Sequence, residues 1–292
     1  MGTSNGLFKL NLNTYTSEKI EFEKTFEVTE VIFDSDKKHL WIAGWEAGLT
    51  RLNVETLAYE RYSLNTNDPE YKSSQNSTRS LLLDSSGRLW IGTWNGGLYS
   101  FNKYHKTFDK VDIKPSTSSE MYSDFDIILD IFEDRDNNIW IGTDSGGLVF
   151  IGSKKTFQGI SLSANPNCGL ENFYINAMFE TPDNTLWVGT RGGGLYKTKD
   201  KKIFERIPTK NETFESLIIK EIYQIDDTIL CVSTGTNVYY IDLYKKHILR
   251  LVDNDLLSGI KKITTIRKFE NHALIGTQQN GFYFLPNYFQ WC

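Results

Sequence analysis

Apolar residues in this chain fall into two kinds of run that alternate at a regular interval. One kind is short and unbroken, as in LWIGT at 89–93, which is how a strand covered on both faces reads. The other alternates apolar with polar, as in LYSFN at 98–102, the pattern of a strand with one solvated face. A polar turn ending in Gly-Gly joins them. The unit LWIGTWNGGLYSFN at 89–102 has near copies at 40–53 (LWIAGWEAGLTRLN), 139–152 (IWIGTDSGGLVFIG) and 186–199 (LWVGTRGGGLYKTK). Worn copies follow at 229–242 and 273–286, and a truncated one, GTSNGLFKLNL, opens the chain. Counted at the tryptophan position (Trp41, Trp90, Trp140, Trp187, then Cys231 and Leu274), the spacings are 49, 50, 47, 44 and 43 residues. That period belongs to propellers, solenoids and arrays.

Residues 77–113 serve as the type unit. A first strand is expected at 79–84, a Ser-Ser-Gly turn at 85–87 and a second strand at 88–93. WNGG at 94–97 supplies the dipeptides a tight hairpin needs, and third and fourth strands follow at 98–102 and 107–113. Four strands in roughly 45 residues make one propeller blade. Gly92, Gly142, Gly189 and Gly276 stand two places after the tryptophan position, where a missing side chain lets a neighbouring blade or the channel wall come close.

The expected fold is therefore all-β, a β-propeller of four-stranded antiparallel blades, six to seven in number, in one domain over 1–292. Its parts are a partial blade at 1–27, blades at about 28–62, 77–113, 124–160, 172–207 and 215–251, and a partial blade at 261–292. In the first partial blade the third strand is expected at 7–12 and the fourth at 21–26. Three strands, at 261–269, 272–277 and 281–285, are expected in the last. This gives twenty-five strands, which fill neither six four-stranded blades nor seven. The sequence thus reads as a portion of a longer repeat array, whose open edges would promote association.

Hydrophobic residues make up 39 % and aromatics 14 %, an excess that suits sheets. The net charge of −5, with both signs interspersed, gives no basic stripe for nucleic acid. Three cysteines (Cys168, Cys231, Cys292) at unrelated repeat positions make neither a disulfide framework nor a metal-ligand spacing. No charged start followed by an apolar stretch and no run of about 18 apolar residues occurs, so neither signal peptide nor membrane contact is expected of this segment. Taken as complete it would be cytosolic; taken as a fragment, its address lies elsewhere.

Asx-rich turns recur between first and second strands, and Asp134, Asp136 and Asn138 have the alternate spacing of a calcium loop. The glycine and distal glutamate of such a loop are missing, its twelfth position being Ser145, so hairpin turns closed by Asx hydrogen bonds are expected and no metal or cofactor. The four histidines (His39, His105, His247, His272) share no repeat position, and no catalytic string occurs.

The copies differ most at the turn after the second strand: Trp45 and Glu46, Trp94 and Asn95, Asp144 and Ser145, Arg191 and Gly192, Thr236 and Asn237, Gln278 and Gln279. A repeated frame with variable polar and aromatic tips suits a binding face. Trp45 and Trp94 would stack on sugar rings, with Arg191 or Asp144 fixing hydroxyls or a carboxylate; alternatively both indoles only cover blade edges. Arg79 is expected to point into the axial channel. Tyr122, Phe125, Phe173 and Tyr174 either line the same rim or anchor long loops.

The run LLLDSSGRLWIGTWNGGL at 81–98 resembles the two-component regulator propeller repeat, with close relatives at 131–148 and 178–195. The resemblance is weaker at 40 and weakest after 215. It implies the periplasmic sensor region of a hybrid two-component regulator, a class common in Bacteroidetes that senses glycans or their fragments. An oligosaccharide or similar ligand, and downstream signalling domains or a homodimer partner, are the implied partners. Kinase, receiver and membrane-helix parts of such regulators are not within these residues, and no histidine is followed by the acidic residue usual at a phosphoacceptor. The repeat motif marks structural residues, so the rim assignments are read from this sequence alone. Two other functions stay open, an interaction scaffold and a propeller lyase or hydrolase, the latter requiring converging acids or histidines.

Overall fold

The unbroken apolar runs are strands with both faces covered. Every residue of Leu89–Thr93, Ile139–Thr143, Leu186–Thr190 and Ile229–Ser233 is buried. The structure is a computed structural model, and it describes residues 1–14, 16–64, 76–113, 125–152, 157–160, 167–171, 174–208, 218–244, 248–251, 263–269, 272–277 and 281–286. Among them are twenty-six strands and no helix, in seven antiparallel sheets whose strands follow chain order. Sheets two to six have four strands each and begin at Val28, Thr78, Ile128, Ile175 and Glu221; sheets one and seven have three each.

The type unit falls close to expectation, with strands Thr78–Leu83, Leu89–Thr93, Leu98–Asn102 and Thr107–Val111. Sheet one departs from it. Gly2–Thr3 already pairs with Gly6 and Leu7, adding a strand. The fourth strand is Thr16–Ile20 rather than 21–26, because Asn11 Oδ1 accepts the N–H groups of Asn13 and Thr14 and turns the chain straight back. Phe22 and Phe26 are then left outside the ladder and fold into the core.

The chain forms two compact units, Met1–Gly159 and Ile160–Cys292. In the first, each sheet packs against the next. Trp41, Leu49 and Leu64 meet Leu81, Ile91 and Phe101 of sheet three, while Trp90 and Leu98 of sheet three meet Ile128, Ile141 and Val149 of sheet four. In the second, Trp187 and Leu195 meet Ile222 and Val232 of sheet six, and Cys231 and Tyr240 meet Ile266 and Ile275 of sheet seven. A side chain at Gly92 would run into Ile128, at 2.6 Å from its Cγ2, and one at Gly189 into Ile219, at 2.4 Å. The absent side chains therefore admit the neighbouring sheet.

Two polar devices recur. The threonine closing each LWIGT run caps its hairpin: Thr93 Oγ1 donates to the Gly97 carbonyl and accepts the Gly96 N–H, both at 2.8 Å. Gly97 itself lies at φ 82°, a conformation that side chains resist. A carboxylate also reaches from one first strand to the next, Glu30 accepting the Leu81 N–H and Glu221 the Ile266 N–H, each at 2.6 Å. A first strand has no inner neighbour in its own sheet, so these bonds satisfy edge donors that would otherwise go unmet.

Candidate functional site

The first strands of sheets two, three, four, five and seven carry a bulge near their heads. Pairing slips by one residue at Thr29, Arg79, Leu129, Asn176 and Thr264. A bulge bends the strand and redirects the extra side chain. The hairpin tip between second and third strands folds back onto the same end. Trp45 N–H donates to the Glu27 carbonyl (2.9 Å), Trp94 to Ser77 (2.9 Å), Asp144 to Ile127 (3.1 Å) and Arg191 to Tyr174 (2.9 Å). The four rim residues thus take one corresponding place in four sheets, each beside the head of its own first strand.

At the seam of sheets two and three the structure brings several of them together. The Trp45 and Trp94 rings lie 5.4 Å apart, centroid to centroid, inclined at 60°. The Arg79 guanidinium, on its bulge, sits over the Trp94 ring at 5.6 Å. Arg79 is therefore at the site, as a cover for one indole. Trp45 is exposed and Trp94 half-buried, while Glu46 and Asn95 beside them are both exposed. Glu46 has φ 53°, unusual for a residue with a side chain. In sheet four Asp144 is half-buried, and in sheet five Arg191 and Tyr174 are exposed neighbours. Phe125 does not line the rim. It is buried in the core of sheets three and four, its ring filling the space left by Gly146. Tyr122, Phe173, Gln278 and Gln279 lie outside the described residues.

Three residues that the sequence did not single out build this seam. Ser77 and Thr78 are buried at the head of sheet three, and Asn76 precedes them. Ser77 Oγ accepts the Glu46 N–H at 3.0 Å, and Thr78 Oγ1 donates to the Gly48 carbonyl at 2.6 Å and accepts the Gly44 N–H at 2.8 Å. Asn76 Oδ1 accepts the Leu64 N–H at 2.9 Å. The visible signal was only a run of three small polar residues before an apolar strand.

The opposite end of each sheet carries the acidic turns, and their carboxylates are structurally engaged. Asp84 accepts the N–H groups of Ser86 and Arg88 and the Trp90 indole N–H. Burial raises its pKa, and those bonds outweigh burial and hold it below the usual range. Asp34 follows the same rule: burial raises it, and Lys103 at 2.7 Å, with the Ser35 N–H, pulls it well below. Asp134 accepts N–H groups of Asp136 and Asn138 and the Trp140 indole, so the calcium-like spacing is an Asx turn. In sheet five Thr181 takes the aspartate's place under Trp187, at 3.2 Å. His39 pairs with Asp36 at 2.6 Å and the His105 ring meets Tyr104; the His247 and His272 side chains are not among those described.

A family model described as the two component regulator propeller matches residues 72–95, 124–145 and 169–192. The chain carries two-component regulator propeller repeats. Each matched segment of these regulator repeats ends on a hairpin tip, at Asn95, Ser145 and Gly192, where the copies diverge. The chain is 28 % identical to "Histidine kinase P4" of Formosa agariphila over 167 residues, 54 % of this chain and 12 % of that protein. Its fold matches the extracellular domain of the putative hybrid two component system BT4673 from B. thetaiotaomicron (TM-score 0.72, 19 % identity), covering 98 % of this chain and 38 % of the other. The corresponding domain of BT3049 matches with TM-score 0.70 and 18 % identity, over 89 % of this chain and 33 % of the other. Sheets two to six are accordingly blades of a β-propeller, and the chain spans well under half the length of the relatives it matches.

Proposed function

We propose that these regulator repeats form part of an extracytoplasmic sensor propeller, and that the seam of sheets two and three binds a glycan fragment. The observation that carries this reading is the cluster of Trp45, Trp94 and Arg79. Indole faces attract the apolar faces of pyranose rings, and a bulged arginine beside them supplies hydrogen-bond donors for hydroxyl or carboxylate groups. Glu46 and Asn95 supply acceptors at the margin. Asp144, Arg191 and Tyr174 hold corresponding places in their own sheets and are candidate contacts of the same kind.

The chain acts by binding. The carboxylates of Asp34, Asp84, Asp134 and Asp183 are tied into turns and ion pairs, which leaves them unsuited to acid–base work on a substrate. Phosphotransfer belongs to other parts of the regulator, and the extracellular placement of the solved relatives supports a periplasmic address. Downstream signalling domains or a second copy would receive the response.

A thermal-shift screen with cello-, xylo-, manno-, laminari- and galacturono-oligosaccharides tests the reading. At least one class should raise the midpoint of the wild type and leave Trp45→Ala unmoved. A folded protein stabilised by none of them, or stabilised equally with Trp45→Ala, refutes it.

A further inference from the structure

One buried residue holds both indole-bearing turns. The Ser77 hydroxyl accepts the Glu46 N–H at 3.0 Å, next in the chain to Trp45, and its carbonyl accepts the Trp94 N–H at 2.9 Å. Ser77 is 1 % exposed, so neither bond competes with bulk water. Because Glu46 lies at φ 53°, the direction of its N–H is fixed, and the hydroxyl that receives it fixes the Trp45 turn against sheet three.

The resulting geometry decides which ring face is free. A sugar ring sandwiched between two indoles needs facing planes about 7 to 8 Å apart, twice a carbon contact distance. The two rings here are 5.4 Å apart and inclined at 60°, so they pack edge to face with no slot between them. Arg79 covers one face of Trp94. Trp45, 38 % exposed, presents the open face.

We propose that Ser77 is the positioning residue of this site, its hydroxyl holding the Trp45 turn against Trp94 as a buttress so that the face of Trp45 is the surface that meets the ligand. This rests on the binding role proposed above, and its test uses no ligand, so either can fail without the other. Among the described residues Trp45 and Trp94 are the indole pair in ring contact, and they should give an exciton couplet in the far-ultraviolet circular dichroism that Trp45→Phe abolishes. Ser77→Ala should lose most of that couplet while its thermal transition stays cooperative, and Ser77→Thr, which keeps the hydroxyl, should retain it. Limited oxidation of the wild type with N-bromosuccinimide, read by peptide mass spectrometry, should modify Trp45 before Trp94, and Ser77→Ala should narrow the difference. A couplet unchanged in Ser77→Ala overturns the proposal. So does oxidation of Trp94 ahead of Trp45 in the wild type, a result that decides the matter even if Ser77→Ala does not fold.

Discussion

Asp134 accepts the indole N–H of Trp140 at 2.8 Å, six residues along the chain and across the hairpin turn. Asp84 holds Trp90 at the same distance. The bond explains why the repeat couples an aspartate before the turn to a tryptophan after it. A buried indole N–H needs an acceptor, and this acceptor also closes the turn that delivers the tryptophan.

Asp134→Ala should therefore destabilise the protein by about 1–3 kcal/mol, because it strands the Trp140 indole N–H and two turn N–H groups. Trp140→Phe removes the donor. In urea denaturation the double variant should cost less than the sum of the two single changes. Additive costs would show that the bond contributes nothing.

Gly92 and Gly87 should respond differently to alanine. At Gly92 a methyl group would meet Ile128 Cγ2 at 2.6 Å and Ser80 Oγ at 2.3 Å, so Gly92→Ala forces sheets three and four apart, at about 1–3 kcal/mol. Gly87 has open space but φ 81°, so Gly87→Ala costs only backbone strain, on the order of 1 kcal/mol. Adding Ile128→Ala should recover part of the Gly92→Ala loss and none of the Gly87→Ala loss. Recovery in both, or in neither, would contradict the packing described.

Two carboxylates should act on acid stability with opposite sign. Asp34 is depressed on folding, so its contribution is present above the ordinary aspartate value of about 3.9 and is lost as pH falls below that through the folded value. The gap between wild type and Asp34→Asn should be wide at neutral pH and close in acid. Burial pushes Glu221 up, against the pull of Arg267 and the Ile266 N–H. Its neutral form favours folding below the ordinary glutamate value of about 4.3, and that advantage is lost as pH rises through the folded value. Glu221→Gln should accordingly compare best with the wild type at neutral pH and worst in acid. Denaturation midpoints across this range check both signs.

Much of the architecture was legible because the repeat reports its own geometry. An unbroken apolar run flanked by Asp and Gly-Gly specifies a buried second strand and its two turns, and the glycine two places after the tryptophan marks where the next sheet approaches. Sheet one departs from the expected spacing because one asparagine, Asn11, turns the chain earlier than its apolar residues predict. At the site, Trp45 and Trp94 stood out as large residues at variable positions. Ser77, Thr78 and the bulge at Arg79 did not, since their importance lies in bonds to residues 30 or more places away or in a one-residue slip of register. Such features belong to packing between sheets and leave little mark in local sequence.

Hydrogen–deuterium exchange with and without the oligosaccharides of the screen reads out ligand binding at the seam of sheets two and three. Binding should slow exchange in the two hairpin tips, residues 44–48 and 93–97, and leave the acidic turns at 34–38 and 84–88 unchanged. Protection confined to the acidic turns, or none in either tip under conditions that stabilise the protein, would contradict it.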